Sequence, residues 1–201
     1  MTASIRENSE IKAALVDLDG TLVDTHAANL AAYRQAIAEA GVAPLTGALE
    51  HWVGTLAWRP MLAKVLPDHA DMHEAIALRK RVIYPQYFTA VAVNQALVQT
   101  LRALSGPVRI ALVTSASRQS VEPLLAAKGL ADLFALTICS DDVVRQKPDP
   151  EPYRRAAEIL GVAPQDCVIF EDSETGLAAA RAFGAQTWQV HWPRSDKTRP
   201  V

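Results

Sequence analysis

Short apolar runs that end abruptly in polar residues recur along this chain. The first run, Ala13 to Val16, is typical of a strand buried on both faces, and polarity begins at Asp17. Similar runs predict four more strands, at residues 109–113, 133–139, 167–170 and 186–190. The helical patterns between them end at glycines such as Gly129 and Gly161. This alternation predicts an α/β fold with a mostly parallel sheet between two helical layers.

One long interval interrupts the alternation. From Thr25 to about Thr100 the pattern predicts helices and no convincing strand. Because these helices follow the first strand directly, an insertion here would stand over the carboxyl end of the sheet, where it can exclude water and select substrates. We therefore expect a core formed by residues 1–24 and 96–201, and an α-helical cap formed by residues 25–95.

Two carboxylates, Asp17 and Asp19, end the first predicted strand. Strand side chains alternate, so both can face one crevice while Leu18 turns back into the core, and Gly20 lets the chain bend away. Two such carboxylates repel each other, and a bound divalent cation lets one stay ionised while the other handles protons. Taken alone, the motif is also compatible with an ordinary turn, because Asp and Gly are turn residues.

Polar residues follow the other predicted strands as well. Thr114 and Ser115 stand between a strand and a helix, where hydroxyls and free N–H groups bind phosphate oxygens; the spacing leaves open which hydroxyl does so. Lys147 precedes a proline that restricts its backbone, which favours a positioned cation. Glu171 and Asp172 end another strand, and their hard oxygen atoms suit Mg²⁺ better than zinc.

Composition and charge narrow the range of partners. The 201 residues carry a net charge of -2 with a pI near 6.2, so we expect neither nucleic acid nor a membrane as partner. The first residues lack an apolar signal core, and no apolar stretch has the length of a membrane span. Cys139 and Cys167 lie far apart in apolar segments, which is typical of core residues in a reducing compartment. We expect a cytoplasmic monomer, with a dimer as the alternative.

With these segments in this order, the chain resembles the haloacid dehalogenase-like superfamily, in its phosphatase branch with a helical cap inserted after the first strand. The resemblance rests on Asp-x-Asp-Gly-Thr, Lys-Pro and Glu-Asp-Ser at predicted strand ends. It implies a three-layer Rossmann-like parallel sheet with an inserted α-helical cap. It also implies Mg²⁺-dependent hydrolysis of a small phosphate ester, such as a sugar phosphate or a phosphoglycolate-like acid, through an aspartyl-phosphate.

Matched motif by motif, the resemblance implies a role for each residue. Asp17 would be the nucleophile, and Asp19 would be the general acid and then the base. Thr114 would bind the phosphoryl group, and Lys147 would neutralise its charge. The implied Mg²⁺ ligands are Asp17, Asp19, Glu171 and Asp172. The expected substrate contacts are Gly20, Ser115 and, from the cap, Arg59.

Other interpretations stay open at this point. Phosphosugar mutases of the β-phosphoglucomutase-like type share Asp24-Thr25, but they commonly carry His five positions after that Asp, where this chain has Asn29. A binding protein with a vestigial site would need a broken motif, and every motif is complete. The run from Arg79 to Arg81 is typical of a solvated helix stripe, and we read it as such.

Overall fold

The computed structural model of the protein describes residues 10–192. Its strands are β1 (Ala13–Val16), β2 (Val23–Asp24), β3 (Ala92–Val93), β4 (Arg109–Val113), β5 (Leu136–Ile138), β6 (Cys167–Glu171) and β7 (Gln186–Gln189). Five of them form one sheet in the order β5-β4-β1-β6-β7, and every neighbouring pair is parallel. The strand that precedes Asp17 and Asp19 therefore lies at the centre of the sheet.

The α-helices are α1 (His26–Glu39), α2 (Ala48–Trp52), α3 (Trp58–Val65), α4 (His73–Ile83), α5 (Gln95–Leu104), α6 (Arg118–Ala127), α7 (Glu151–Leu160) and α8 (Glu174–Phe183). Apolar side chains of α7 and α8 pack with Ala13 and Leu15 on one face of the sheet. Ala14 and Val16 point to the opposite face, into a core shared with the other helices. These three layers confirm the predicted α/β fold, and the period-two alternation of a strand explains the division.

The register of the sheet brings the predicted site segments to one edge. Val16 is aligned with Leu112 on β4 and with Phe170 on β6. The Asp17 N–H then donates to the Phe170 carbonyl at 3.0 Å, which continues the ladder one residue beyond β1. Parallel strands present their carboxyl ends on the same side, so the polar residues after β1, β4 and β6 must lie close together.

Two details of the predicted elements are wrong. Residues 131–133 form a single 3₁₀ turn, so β5 begins at Leu136 rather than at Leu133. The interval after Thr25 does contain a strand, because β3 pairs antiparallel with β2. Two-residue strands are too short to produce a periodic signal, which is why the pattern does not reveal them. The role of residues 25–95 as a cap remains a prediction.

Other sequence predictions concern the interior and the surface. Cys139 and Cys167 are buried and free, as expected of small core residues. None of the helices between residues 10 and 192 combines the length and the apolar character needed to cross a bilayer.

Candidate active site

Asp17 is the first residue after β1, and its side chain is almost completely buried. Burial raises the pKa of Asp17 to about 7, although the ammonium of Lys147 acts in the opposite direction. The nearby Glu171 carboxylate adds to the rise. The charge of Asp17 at neutral pH therefore depends on the cations around it, which is how a carboxylate nucleophile can be controlled.

Lys147 supplies the positive charge at this site, and its side chain is only 4% exposed. Its Nζ donates to Asp17 Oδ1 and to Glu171 Oε1, both at 2.7 Å, and to the Val113 carbonyl at 3.0 Å. Burial by itself would lower the pKa of Lys147, but Asp17 and Glu171 raise it above the ordinary value. Three acceptors for the three protons of one ammonium fix both its position and its charge.

Three carboxylates meet where β1 and β6 end. Asp17, Glu171 and Asp172 each offer an oxygen, and these oxygens lie within 4.8 Å of one another. Glu171 is held on both oxygens, because Lys147 donates to Oε1 while the N–H groups of Asp172 and Ser173 donate to Oε2 at 2.8 and 2.9 Å. A compact set of carboxylate oxygens at a strand edge is the ligand type that Mg²⁺ prefers, so these residues fit the ion.

Two glycines make room for this cluster. A Cβ on Gly20, which has a φ of +88°, would lie 2.2 Å from Asp172 Oδ2. A Cβ on Gly176 in α8 would lie 1.6 Å from Glu171 Oε1. The Thr21 hydroxyl donates to Asp172 Oδ1 at 2.9 Å and fixes this carboxylate from the other side. The structure thus explains Gly20 by close packing, and its predicted contact with substrate stays a prediction.

Asp19 has different partners from Asp17. Its Oδ1 accepts a hydrogen bond from the Thr25 hydroxyl, which in turn accepts one from Asn29 Nδ2 at 3.0 Å. Asn29 Oδ1 accepts from Lys80 Nζ at 2.5 Å, so a directional chain of hydrogen bonds runs from Lys80 to Asp19. Part of Asp19 is open to solvent, yet burial of its carboxyl group raises its pKa, which suits a group that transfers protons. Its predicted role as a metal ligand stays a prediction.

A cavity of about 210 Å³ adjoins Asp19. Its lining residues include Asp19, Asn29, Tyr33, Trp58, Lys80 and Ser115. Ser115 therefore faces the cavity, whereas the Thr114 hydroxyl is buried and accepts a hydrogen bond from the Ala116 N–H at 3.1 Å. Asp17 and Lys147 do not line this cavity, so the space belongs to the Asp19 side of the site.

The cations that line the cavity, Lys80 and Arg81, differ from the expected one. Arg59 is not among the lining residues, and its guanidinium lies 4.2 Å from the centroid of the Trp58 ring. Lys80 does line the cavity, and its Nζ lies 3.9 Å from the ring centroid of Tyr84. Lys80 is only 9% exposed, so the interpretation of residues 79–81 as a solvated stripe is wrong for this residue. Burial lowers the pKa of Lys80 to about 8, although Asp19 opposes the shift.

Known proteins resemble this chain in sequence and in fold. The family model of the haloacid dehalogenase-like hydrolases matches residues 11–184. The chain belongs to this family. It is 32% identical to a phosphoglycolate phosphatase of Thiobacillus denitrificans (95% of this chain, 87% of the relative) and 30% identical to fructose-1-phosphate phosphatase YqaB of Escherichia coli (88% and 94%). The crystal structure of CbbY from Rhodobacter sphaeroides in complex with phosphate superposes with a TM-score of 0.79 at 26% identity (93% and 90%).

Four residues around this candidate site do not follow from the motifs as we read them. Thr21 lies inside Asp-x-Asp-Gly-Thr, and Gly176 stands three residues after Glu-Asp-Ser, so a signal for them was present in the sequence. Lys80 and Tyr153 had no such signal. Lys80 stands in a charged run, and Tyr153 occupies a buried position of the amphipathic helix α7, where aromatic residues ordinarily only pack.

Proposed function

We propose that this protein is a Mg²⁺-dependent phosphatase that hydrolyses a small phosphate ester through an aspartyl-phosphate on Asp17. The observation that carries the proposal is the buried Asp17 carboxylate, which lies 2.7 Å from Lys147 Nζ and beside two further carboxylates. The names of the phosphatases that the chain resembles support the same reaction.

Asp17 and Asp172, assisted by Glu171, are the residues that would hold Mg²⁺. When bound, the ion would neutralise charge on the phosphoryl oxygens and keep Asp17 ionised. Lys147 adds a second positive charge from within the protein. It is already fixed by its acceptors, so little reorganisation would be needed during the reaction.

In the proposed reaction an oxygen of Asp17 attacks phosphorus, and the bond between phosphorus and the leaving-group oxygen breaks. Asp19 donates a proton to that oxygen as the alcohol departs. Asp19 then takes a proton from water as the water attacks the aspartyl-phosphate, which releases inorganic phosphate and restores Asp17. The raised pKa of Asp19 supports this double role, because the group must exist in both protonation states.

The segment of residues 25–95 supports the proposal as a cap. Its helices α1 and α4 contribute Asn29 and Lys80 to the cavity beside Asp19, where the leaving group would lie. We propose that this segment selects the leaving group while the sheet edge performs the chemistry. A cytoplasmic location and a monomeric state remain part of the same proposal.

Phosphate release from a metabolite panel, with Mg²⁺ or with excess EDTA, tests this function. The panel would include phosphoglycolate, fructose 1-phosphate and glucose 1-phosphate. We expect Mg²⁺-dependent release of inorganic phosphate from at least one member. Full activity in EDTA would contradict the metal requirement, and conversion of one phosphosugar into another without free phosphate would identify a mutase instead.

Lys80 is a buried cation that lines the cavity, where the leaving group would lie. Its substitution therefore tests how the leaving group is recognised. Lys80→Met keeps the length of the side chain and removes its charge. We expect the KM for phosphoglycolate, whose leaving group carries a carboxylate, to rise about tenfold or more, and the KM for p-nitrophenyl phosphate to change little. The pKa of Lys80 is about 8, so the KM of the unmodified enzyme for phosphoglycolate should also rise as the pH passes through this value and the ammonium is lost.

Arg59→Ala is the matched comparison for Lys80→Met. We expect it to have the smaller effect, since Arg59 does not line the cavity itself and only stacks on Trp58, which does. A larger loss with Arg59→Ala would restore Arg59 as the specificity residue. If Lys80→Met lowered kcat/KM equally for phosphoglycolate and p-nitrophenyl phosphate, Lys80 would not recognise the leaving group. It would instead position Asp19 through Asn29 and Thr25.

A further inference from the structure

Tyr153 lies beside the catalytic cation, and no step of the proposed reaction uses it. It is completely buried in α7. Its ring centroid lies 4.9 Å from Lys147 Nζ, and its hydroxyl lies 3.3 Å from Glu171 Oε1. Tyr153 therefore contacts both members of the Lys147–Glu171 ion pair, one with the ring and the other with the hydroxyl.

The hydroxyl contact has a defined direction. The Tyr153 hydroxyl donates to the Glu171 carboxylate, because an ionised carboxylate can only accept hydrogen bonds. Glu171 Oε1 thus accepts from Tyr153 and from Lys147, while Asp17 accepts from the same ammonium. Because a second donor shares the negative charge of Glu171 Oε1, this oxygen attracts the Lys147 ammonium less strongly. The ammonium is therefore drawn away from Asp17 less strongly.

The ring contact acts on the same cation. A cation within about 6 Å of an aromatic centroid is attracted by the electron-rich face of the ring, and the attraction is larger at a desolvated site. Lys147 satisfies both conditions, because it is buried and lies within this distance. The ring thereby adds a contact to Lys147 Nζ beyond its three hydrogen-bond acceptors.

We infer that Tyr153 is a positioning residue that keeps Lys147 Nζ between Asp17 and Glu171 during phosphoryl transfer. The inference rests on the proposed phosphatase function. Its effect would fall on the transition state rather than on substrate binding, since the charge that Lys147 neutralises develops most fully as the phosphoryl group is transferred.

The first test is Tyr153→Phe, assayed as the purified full chain with saturating Mg²⁺ and p-nitrophenyl phosphate. This variant keeps the ring and removes only the hydroxyl. We expect kcat to fall about fivefold to tenfold with KM within about twofold of the unmodified enzyme. The inhibition constant of orthovanadate, which imitates the five-coordinate phosphorus, should rise by a similar factor. An inhibition constant does not depend on the fraction of molecules that fold, so instability cannot produce this rise.

A double-mutant cycle tests whether Tyr153 acts through Lys147. In a Lys147→Met background, Tyr153→Phe should change the residual kcat by less than about twofold, because the cation to be positioned is absent. Phe183→Leu is the matched control: Phe183 packs 6.4 Å from the Tyr153 ring and offers no polar group. It should lower the melting temperature without changing the orthovanadate inhibition constant.

Three results would overturn the inference. The first is an unchanged kcat in Tyr153→Phe. The second is a loss of kcat on Tyr153→Phe that is equally large with Lys147 and with Met at position 147. The third is a rise of the orthovanadate inhibition constant in Phe183→Leu that equals the rise in Tyr153→Phe. Phosphate release by the unmodified enzyme keeps the two proposals apart. If that enzyme releases no phosphate, the proposed function fails; if it does and Tyr153→Phe behaves identically, only the role of Tyr153 fails.

Discussion

Asp17→Asn should lower kcat by at least about 10⁴-fold on every phosphate ester in the panel. An amide retains the shape of the side chain and can still accept the hydrogen bond from Lys147, but it cannot attack phosphorus as an anion. The aspartyl-phosphate should disappear as well, which mass spectrometry of acid-quenched enzyme would detect as the loss of a phosphorylated peptide containing residue 17. Asp132→Asn, at a surface ion pair with Arg102, is the control and should leave turnover unchanged.

The same variant should be more stable than the unmodified protein when Mg²⁺ is removed. Burial raises the pKa of Asp17 from 3.8 to about 7, so between these values the native state binds more protons than the unfolded chain. The free energy of unfolding therefore falls as the pH rises from about 4 to about 7, and the neutral amide lacks this loss. In EDTA at pH 8, we expect Asp17→Asn to melt a few degrees higher, which corresponds to roughly 1–3 kcal/mol.

The thermal result also has a clear dependence on pH. The difference in melting temperature between the variant and the unmodified protein should be small near pH 4, where Asp17 is protonated in the native state, and should grow toward pH 8. Turnover close to that of the unmodified enzyme would exclude Asp17 as the nucleophile. A variant that is less stable at pH 8 would show that the ionised carboxylate gains more from Lys147 than it loses by burial.

The part of the site that could be predicted from sequence lies at strand ends. The run Ala13–Val16 is apolar without interruption and Asp17 is not, so one switch of polarity indicates both the strand and the edge at which it ends. The same switch occurs before Glu171 and after Val113. Parallel pairing then brings the segments together, and this consequence of sheet geometry does not depend on details of the helices.

The residues that sequence did not reveal owe their surroundings to distant parts of the chain. Lys80 is buried because Tyr33 and Tyr84 place their rings against it and Asn29 accepts its hydrogen bond. Tyr153 has a polar role only because Glu171, the last residue of β6, reaches its hydroxyl. Periodicity describes which face of a helix is apolar, but it cannot specify which residue of another element meets that face.

Asp172 should control the affinity for Mg²⁺ more strongly than any residue outside the cluster. Its carboxylate lies with those of Asp17 and Glu171, but unlike Glu171 it accepts, within the described part of the chain, a side-chain hydrogen bond from Thr21 alone. We expect Asp172→Ala to raise the Mg²⁺ concentration for half-maximal activity at least about 100-fold. Binding followed by tryptophan fluorescence or calorimetry should weaken in parallel, which provides a measure independent of turnover.

Two further variants make the role of Asp172 specific. Thr21→Val removes the hydroxyl that orients Asp172 and should weaken Mg²⁺ binding by about tenfold. An intermediate effect is expected of a group that orients a metal ligand without touching the ion. Glu174→Ala removes an exposed carboxylate only two residues along the chain and should leave the Mg²⁺ requirement unchanged. If Glu174→Ala and Asp172→Ala weakened Mg²⁺ binding equally, the total negative charge of this region, rather than coordination by Asp172, would explain the effect. An unchanged Mg²⁺ requirement in Asp172→Ala would exclude Asp172 as a ligand of the ion.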